Sequence, residues 1–269
     1  MLLLTFFCFL QGFTEFLPIS SQGHLIVYNE FFGVNFETSI PIKEANILAH
    51  FGSLMAVIIF YNKTLKDFFF SLKLIDRPDI DKNSFLVVNL FISTLPIVLV
   101  GYFFFQIFNY ESEQILLIIG LSSIFFGIIL FAADSFSLRI KNHNALNYFN
   151  SFLIGLFQCL ALIPGVSRSG AILTVMRFFG YQRKFCVYYS NLLSIPVITS
   201  ATGLMIYNQY NYLATDIVFS FSGMMIFTLS FIFSLCFIFL FVAWVKKFSL
   251  LIFVIYRILF GIALIYFLI

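Results

Sequence analysis

Residues 11–24 read QGFTEFLPISSQGH, and residues 164–170 read PGVSRSG. Each string lies inside an otherwise apolar run, about residues 2–32 for the first and 148–180 for the second, and interrupts it with proline, serine and glycine. Proline removes a backbone N–H and ends a helix near itself, while serine and glycine favour the turn and cap that follow. The pieces on either side are shorter than the roughly 17 residues that cross a hydrocarbon core. Each run therefore reads as a short helix, a polar turn and a second short helix: a hairpin that enters a bilayer and returns without crossing it.

Outward from these hairpins, six apolar segments reach crossing length, at about 45–61, 85–108, 114–133, 186–206, 217–243 and 249–268. Hydrophobic residues make up 61% of the chain and charged residues 10%, against about 25% charged in soluble domains. A soluble fold could not cover that much apolar surface. The expected fold is an all-α membrane protein, with six transmembrane helices and two re-entrant helical hairpins in a single membrane domain over 1–269. The order hairpin, span, span, span occurs twice, so an inverted-topology repeat is expected. Repeat 1 covers about 1–110 and repeat 2 about 114–269; their boundary falls within 109–147, and the polar linker DSFSLRIKNHNALN at 134–147 divides the copies. Weak echoes agree: Gln11 to Pro18 resembles Gln158 to Pro164, and Asn46 to Asn62 resembles Asn191 to Asn208.

Lys and Arg accumulate in short cytoplasmic loops. Lys63, Lys66, Lys73, Arg77, Lys82, Arg139, Lys141, Arg183, Lys184, Lys246 and Lys247 all fall on one side of the six-span arrangement, which is assigned to the cytoplasm. The other side holds Lys43 with Glu37, Glu44, Glu111, Glu113 and Asp216, which puts both termini outside the cytoplasm. An odd number of spans per copy makes the copies run in opposite directions, so broken-helix tips would meet near the midplane, where substrate sites form. The first 16 residues lack the basic n-region and cleavage site of a secretory signal and read as mature protein. Cys8, Cys159, Cys186 and Cys236 show no paired spacing, which argues against disulfides or a zinc site. A scattered net charge of +3 argues against a nucleic-acid partner.

An ionisable side chain inside a bilayer costs about 2.5–3.5 kcal/mol on insertion scales, so the few present are functional candidates. Gln11 and Glu15, four apart, share a helix face and could hold a cation, or Glu15 could pair with Arg168. Ser20, Ser21 and Gly23 follow Pro18 where a second helix begins and free N–H groups collect, which suits a phosphate or a simple cap. His24, three residues beyond Ser21, could act on that hydroxyl or on a water. Ser167, Arg168 and Ser169 between Gly165 and Gly170 combine a permanent cation with two hydroxyls, the chemistry for holding a phosphoryl group or forming a charge pair. Arg177 and Arg257 read as snorkelling or pairing residues. His50 reads mainly as a packing residue, His143 as a loop residue, and Asn46 and Asn191 as hydrogen-bonding residues between helices.

At these two hairpins the chain resembles the undecaprenyl-diphosphate phosphatase family of bacitracin-resistance membrane enzymes. Gln11, Glu15, Ser20, Ser21, Gly23 and His24 fill its first motif, and Pro164, Gly165, Ser167, Arg168 and Ser169 its second. The stretches GLFQCLALIPGVSRSGA and SNLLSIP are similar as well, so the resemblance runs over essentially the whole chain. Two positions depart from it: Ile172 stands where a threonine is usual, with Thr174 two residues on, and Gln11 replaces a more frequent Glu. The resemblance implies hydrolysis of undecaprenyl diphosphate to undecaprenyl phosphate and inorganic phosphate, recycling the carrier for peptidoglycan synthesis. It implies Ser21, His24, Glu15 and Arg168 as catalytic residues, with either Ser21 or His24 as nucleophile or His24 activating water. Ser20, Gly23, Ser167, Ser169, Gly170 and Thr174 would bind substrate, and Glu15 with Gln11 would hold a divalent cation, Mg2+ or Ca2+. The expected setting is the bacterial inner membrane, with the site opening outward, lipids and the lipid substrate as partners, and a homodimer as a possible assembly. The rival reading from another class is a polyprenyl-phosphate transporter using the same site, since inverted repeats of broken helices are also a transporter architecture.

Overall fold

The computed structural model describes residues 1–32, 40–107, 112–137, 146–209 and 220–268. Glu37, Glu111, Arg139, Lys141, His143 and Asp216, which entered the charge and loop readings, lie outside them, as does the side chain of Glu113. The described residues form α1 (Leu2–Thr14), α2 (Ser21–Phe32), α3 (Ile42–Phe60), α4 (Asn62–Ser71), α5 (Lys82–Ile107), α6 (Ser112–Phe136), α7 (Tyr148–Gln158), α8 (Arg168–Phe178), α9 (Arg183–Gln209), α10 (Phe221–Trp244) and α11 (Leu251–Leu268). Short 3-10 turns follow α4 and α7. Six helices, α3, α5, α6, α9, α10 and α11, are long and apolar enough to cross a membrane. They match the six expected spans to within a few residues at each described end, and α1, α2, α7 and α8 are the short pieces expected on either side of the two polar turns.

Two differences from the sequence reading have physical causes. The linker expected from residue 134 begins later, because α6 continues to Phe136 and buries Asp134 between Arg177 and Arg183. The basic stretch after α3 is also helical: α4 turns Phe68 inward while Lys63 and Lys66 stay exposed.

Side-by-side packing follows a reciprocal pattern. The helix α1 lies on α10 and α7 on α5; α3 packs on α10 and α9 on α5; α3 also meets α9, and α6 meets α11. The far ends of the first hairpin join the starts of α3 and α10 in one apolar cluster of Leu4, Tyr28, Ile40, Ala45 and Ile226. Those of the second join the opposite ends of the bundle, where Tyr148 meets Phe85 and Arg177 meets Asp134. The two polar turns thus approach each other from opposite ends.

Close helix approach depends on small residues, because lipid offers no hydrophobic drive between apolar helices. A Cβ on Gly261 of α11 would come within 2.5 Å of the Gly120 carbonyl oxygen and 2.6 Å of Ile124 on α6. Replacing Gly261 with Val should force these helices apart and cost roughly 1–3 kcal/mol, the usual penalty of overpacking. A thermal unfolding midpoint in detergent equal to that of the parent protein would refute this.

Candidate functional site

Each hairpin turns through a serine in a conformation that L-residues rarely adopt. Ser20 has φ 74° and Ser167 φ 69°. Each then uses its hydroxyl as an N-cap: Ser20 Oγ accepts the Gly23 N–H at 3.3 Å, and Ser167 Oγ accepts the Gly170 N–H at 3.2 Å. Ser20 and Ser167 are as far apart along the chain as Gln11 and Gln158, so Pro18 corresponds to Gly165 rather than to Pro164. Gly165 has φ +92°, and a side chain there would run into Ser122.

Breaking a helix frees carbonyls that must find donors when no water is at hand. Ser169 Oγ donates to Leu17 O at 2.7 Å, linking the second turn to the first, and Ser122 Oγ donates to Pro164 O at 2.6 Å. Arg257, only 1% exposed, donates from Nη1 to Pro18 O at 3.3 Å, from Nη2 to Gly165 O at 3.0 Å and from Nε to Ser123 O at 3.3 Å. One guanidinium therefore ties both turns to α6.

Charge collects beside this joint. The Glu15 carboxylate accepts Ser21 Oγ at 2.7 Å and Gln11 Nε2 at 3.2 Å on Oε2, and Arg168 Nη2 at 3.2 Å on Oε1. His50 Nε2 stands 3.7 Å from Oε2. Gln11 Nε2 also donates to Ser53 Oγ, which accepts from Ser234 as well. Two buried polar atoms here have no hydrogen-bond partner, Arg168 Nη1 and Gln11 Oε1. A guanidinium N–H with nothing to donate to, next to a serine hydroxyl on a carboxylate, is an arrangement ready for an anionic ligand.

The expected site residues divide accordingly. Glu15, Gln11, Ser21 and Arg168 share one cluster. Ser20, Ser167, Ser169, Gly23 and Gly170 build the turns, with the Ser167 and Ser169 hydroxyls 3.1 Å apart and turned toward the Leu17 carbonyl. Thr174 is buried and donates to Gly170 O at 2.7 Å, one turn into α8. The position expected of the usual threonine, Ile172, is wholly buried and apolar. His24 does not contact Ser21 through a hydrogen bond. Its Nδ1 lies 2.7 Å from Ser20 O, which can only accept, so Nδ1 carries a proton; in the neutral ring Nε2, 2.6 Å from Tyr256, accepts that hydroxyl. The ring stacks on Phe260.

Three neighbours were missed or ranked low from sequence: Arg257, Tyr256 and His50. Arg257 carried a usable signal, an arginine deep in an apolar span, but no local motif to say what it meets. Arg177 is structural: with Arg183 and the Leu250 N–H it surrounds Asp134 at the far end of the bundle.

Six helices long and apolar enough to cross a membrane, with two broken hairpins meeting at a buried acid, a hydroxyl and two arginines, define a class, that of multi-pass helical membrane proteins with a buried charged site. The family model of the bacitracin resistance protein BacA matches residues 4–263, and the chain belongs to that family. Similar curated proteins include the undecaprenyl-diphosphatases of Pelagibacter ubique, 36% identical over 94% of this chain and 92% of that protein, of Buchnera aphidicola, 33% identical over 92% and 90%, and of Alteromonas mediterranea, 33% identical over 96% and 95%.

Loss of the Arg257 fork should loosen both turns together. Arg257→Met is expected to raise amide hydrogen exchange at 17–24 and at 164–170 in parallel while α3 and α10 stay protected. Exchange that rises at one turn alone would contradict the shared clamp.

Proposed function

We infer that this chain hydrolyses undecaprenyl diphosphate to undecaprenyl phosphate and inorganic phosphate, recycling the lipid carrier for cell-wall synthesis. The relatives that carry the undecaprenyl-diphosphatase name span nearly their whole length and this one's. The rival transport reading gains no support from them. The observation that carries the reading is the Ser21 hydroxyl held at 2.7 Å on the Glu15 carboxylate, beside an Arg168 whose Nη1 has no partner.

In the proposed reaction Ser21 Oγ attacks the terminal phosphorus while its proton passes to Glu15. The bond from that phosphorus to the bridging oxygen breaks, and undecaprenyl phosphate leaves. Water then attacks the phosphoserine, the bond from phosphorus to Ser21 Oγ breaks, and Oγ takes back the proton held by Glu15, which releases inorganic phosphate and restores both the hydroxyl and the carboxylate. Arg168 Nη1 would meet the non-bridging oxygens, whose charge grows in the transition state. Glu15 is favoured over His24 as the base because both His24 nitrogens are committed, to Ser20 O and to Tyr256. His24 then serves the left-handed turn by holding the Ser20 carbonyl. The same commitment disfavours His24 as the attacking group or as the activator of a water.

The residues also suit the divalent cation that the family resemblance implies. Glu15 offers a carboxylate and Gln11 a buried amide oxygen without a partner, both hard donors of the kind Mg2+ or Ca2+ takes. A bound cation would offset charge on the diphosphate. Reciprocal helix packing and hairpin turns that approach from opposite ends support the inverted repeat and the re-entrant placement. Exposed Lys63, Lys66, Lys73, Arg77, Lys82, Lys184, Lys246 and Lys247 at one end support an inner-membrane protein with that end cytoplasmic and both termini outside. That the site opens to the extracytoplasmic side is what the family resemblance implies.

Purified protein should release phosphate from undecaprenyl diphosphate. Ser21→Ala and Glu15→Gln should each cut kcat by roughly 10²–10⁴, the range of a lost nucleophile or base, and Arg168→Ala by about 10²–10³. His24→Ala should weaken activity less than Ser21→Ala. Full turnover by the Ser21→Ala enzyme would remove the serine mechanism, and no phosphate release by the parent protein would remove the function.

A further inference from the structure

His50 projects from α3 toward Glu15, yet no step above uses it. Its Nδ1 lies 2.8 Å from the Asn46 carbonyl of its own helix, which can only accept, so that nitrogen carries the proton. In the neutral ring Nε2 is then a lone pair, and it faces Glu15 Oε2 at 3.7 Å. That separation exceeds the roughly 2.7–3.2 Å of a hydrogen bond, and two electron-rich atoms do not face each other stably without positive charge between them.

We propose that His50 Nε2 is the third protein donor of a divalent-cation site, with Glu15 Oε2 and Gln11 Oε1, and that its imidazole turns the site toward transition-series ions such as Mn2+. The assignment rests on the reading of Glu15 as the site carboxylate and on two independent features of its neighbours. An imidazole that ligates a metal through one nitrogen characteristically donates the other N–H to a backbone carbonyl or carboxylate, which fixes the tautomer; His50 is held that way. Donors that each sit about 2.0–2.2 Å from one ion stand less than twice that distance apart, and the 3.7 Å between Nε2 and Oε2 meets this condition.

Gln11 supplies the second feature. The residue is fully buried and its Oε1 has no partner, while Nε2 of the same amide lies 3.2 Å from Glu15 Oε2. The two ends of an amide exchange by a half-turn about its last torsion, which brings the acceptor beside the carboxylate. Among the described residues no three His, Cys, Asp or Glu side chains converge on a common point, so the amide oxygen is needed to complete three donors.

The charge balance gives the preference. Gln11 carries no charge, and Arg168 already occupies Glu15 Oε1. Ca2+ draws on six to eight oxygens, and this set offers it little negative charge. Imidazole nitrogen suits transition-series ions, and Mn2+ among these is also one that carboxylate and carbonyl oxygens hold. Beside the Mg2+ or Ca2+ that the family resemblance implies, Gln11 in place of an acid and His50 facing the gap favour a transition-series ion in this chain.

The full-length protein in detergent, loaded with Mn2+ alone, tests this by electron paramagnetic resonance. The parent protein should show nitrogen-14 modulation from one imidazole; His50→Gln should lose it and bind Mn2+ about tenfold or more weakly, on the scale that even outer-shell losses produce. His24→Ala should keep the modulation, and Ca2+ should compete more effectively in His50→Gln than in the parent. Thermal unfolding of each variant establishes that it is folded. Absence of nitrogen modulation in the parent, or its loss in His24→Ala instead, overturns the proposal and leaves His50 as an ion-pair partner of Glu15. Phosphate release measured on the same samples separates the two readings: turnover without an imidazole signal refutes the ligand assignment alone, and an imidazole signal without turnover refutes the hydrolase alone.

Discussion

A broken helix in a medium without water must return every freed carbonyl to a donor, and in this protein that requirement organises the site. The carbonyls of Leu17, Pro18 and Ser20 on one turn, and of Pro164 and Gly165 on the other, are all answered by side chains. Only His24 comes from the same turn as the carbonyl it serves. Ser169 crosses from the opposite hairpin, Ser122 comes from α6 and Arg257 from α11. Both turns lean on Arg257 of α11, and Ser169 links the second to the first, so Glu15 and Arg168 stand 3.2 Å apart where the turns that carry them are joined.

The joint also accounts for the division of labour among the hydroxyls. Ser20, Ser167 and Ser169 spend theirs on backbone groups, and Thr174 bonds back to its own helix. Ser21 alone among the expected site hydroxyls turns to the carboxylate. Two serines adjacent in sequence thus have different tasks because one precedes the helix and the other begins it. The left-handed backbone at Ser20 costs of order 1–3 kcal/mol and is held there by the cap to Gly23 and by the His24 ring.

Much of the fold was legible because its signals are long and local. Span positions followed from length and hydropathy, and both turns from proline and serine in apolar runs. The Glu15, Ser21 and Arg168 cluster was legible from charge within those runs, supported by family resemblance. What escaped was non-local. Arg257 and Tyr256 lie on the last helix, more than 200 residues from Pro18 and His24 that they touch, and no pattern along the chain announces such a pairing. Spacing suggested that His24 would serve Ser21, three residues away; the Ser20 carbonyl competes for the ring and holds it. Asp134 opens the polar string DSFSLRIKNHNALN and so reads as linker, but burial against Arg177 and Arg183 makes its charge tolerable inside α6.

The pairing of Glu15 with Arg168 is tolerable for the same reason, but it is poised differently. Around Asp134 both arginines and a backbone N–H converge on one acid, and the Arg177 guanidinium is further tied to the Tyr181 carbonyl. At Glu15 the arginine retains an unmet donor and the neighbouring amide an unmet acceptor. Two buried charge clusters in one chain are therefore built to different ends: the first is closed by protein alone and braces the ends of α6, α8 and α9, whereas the second leaves polar capacity unspent at the meeting point of the hairpins. Burying such capacity unfilled costs of order 1–3 kcal/mol per group, and a ligand that meets both groups recovers that cost on binding. A diphosphate accompanied by a cation has the acceptor oxygens and the positive charge to do so.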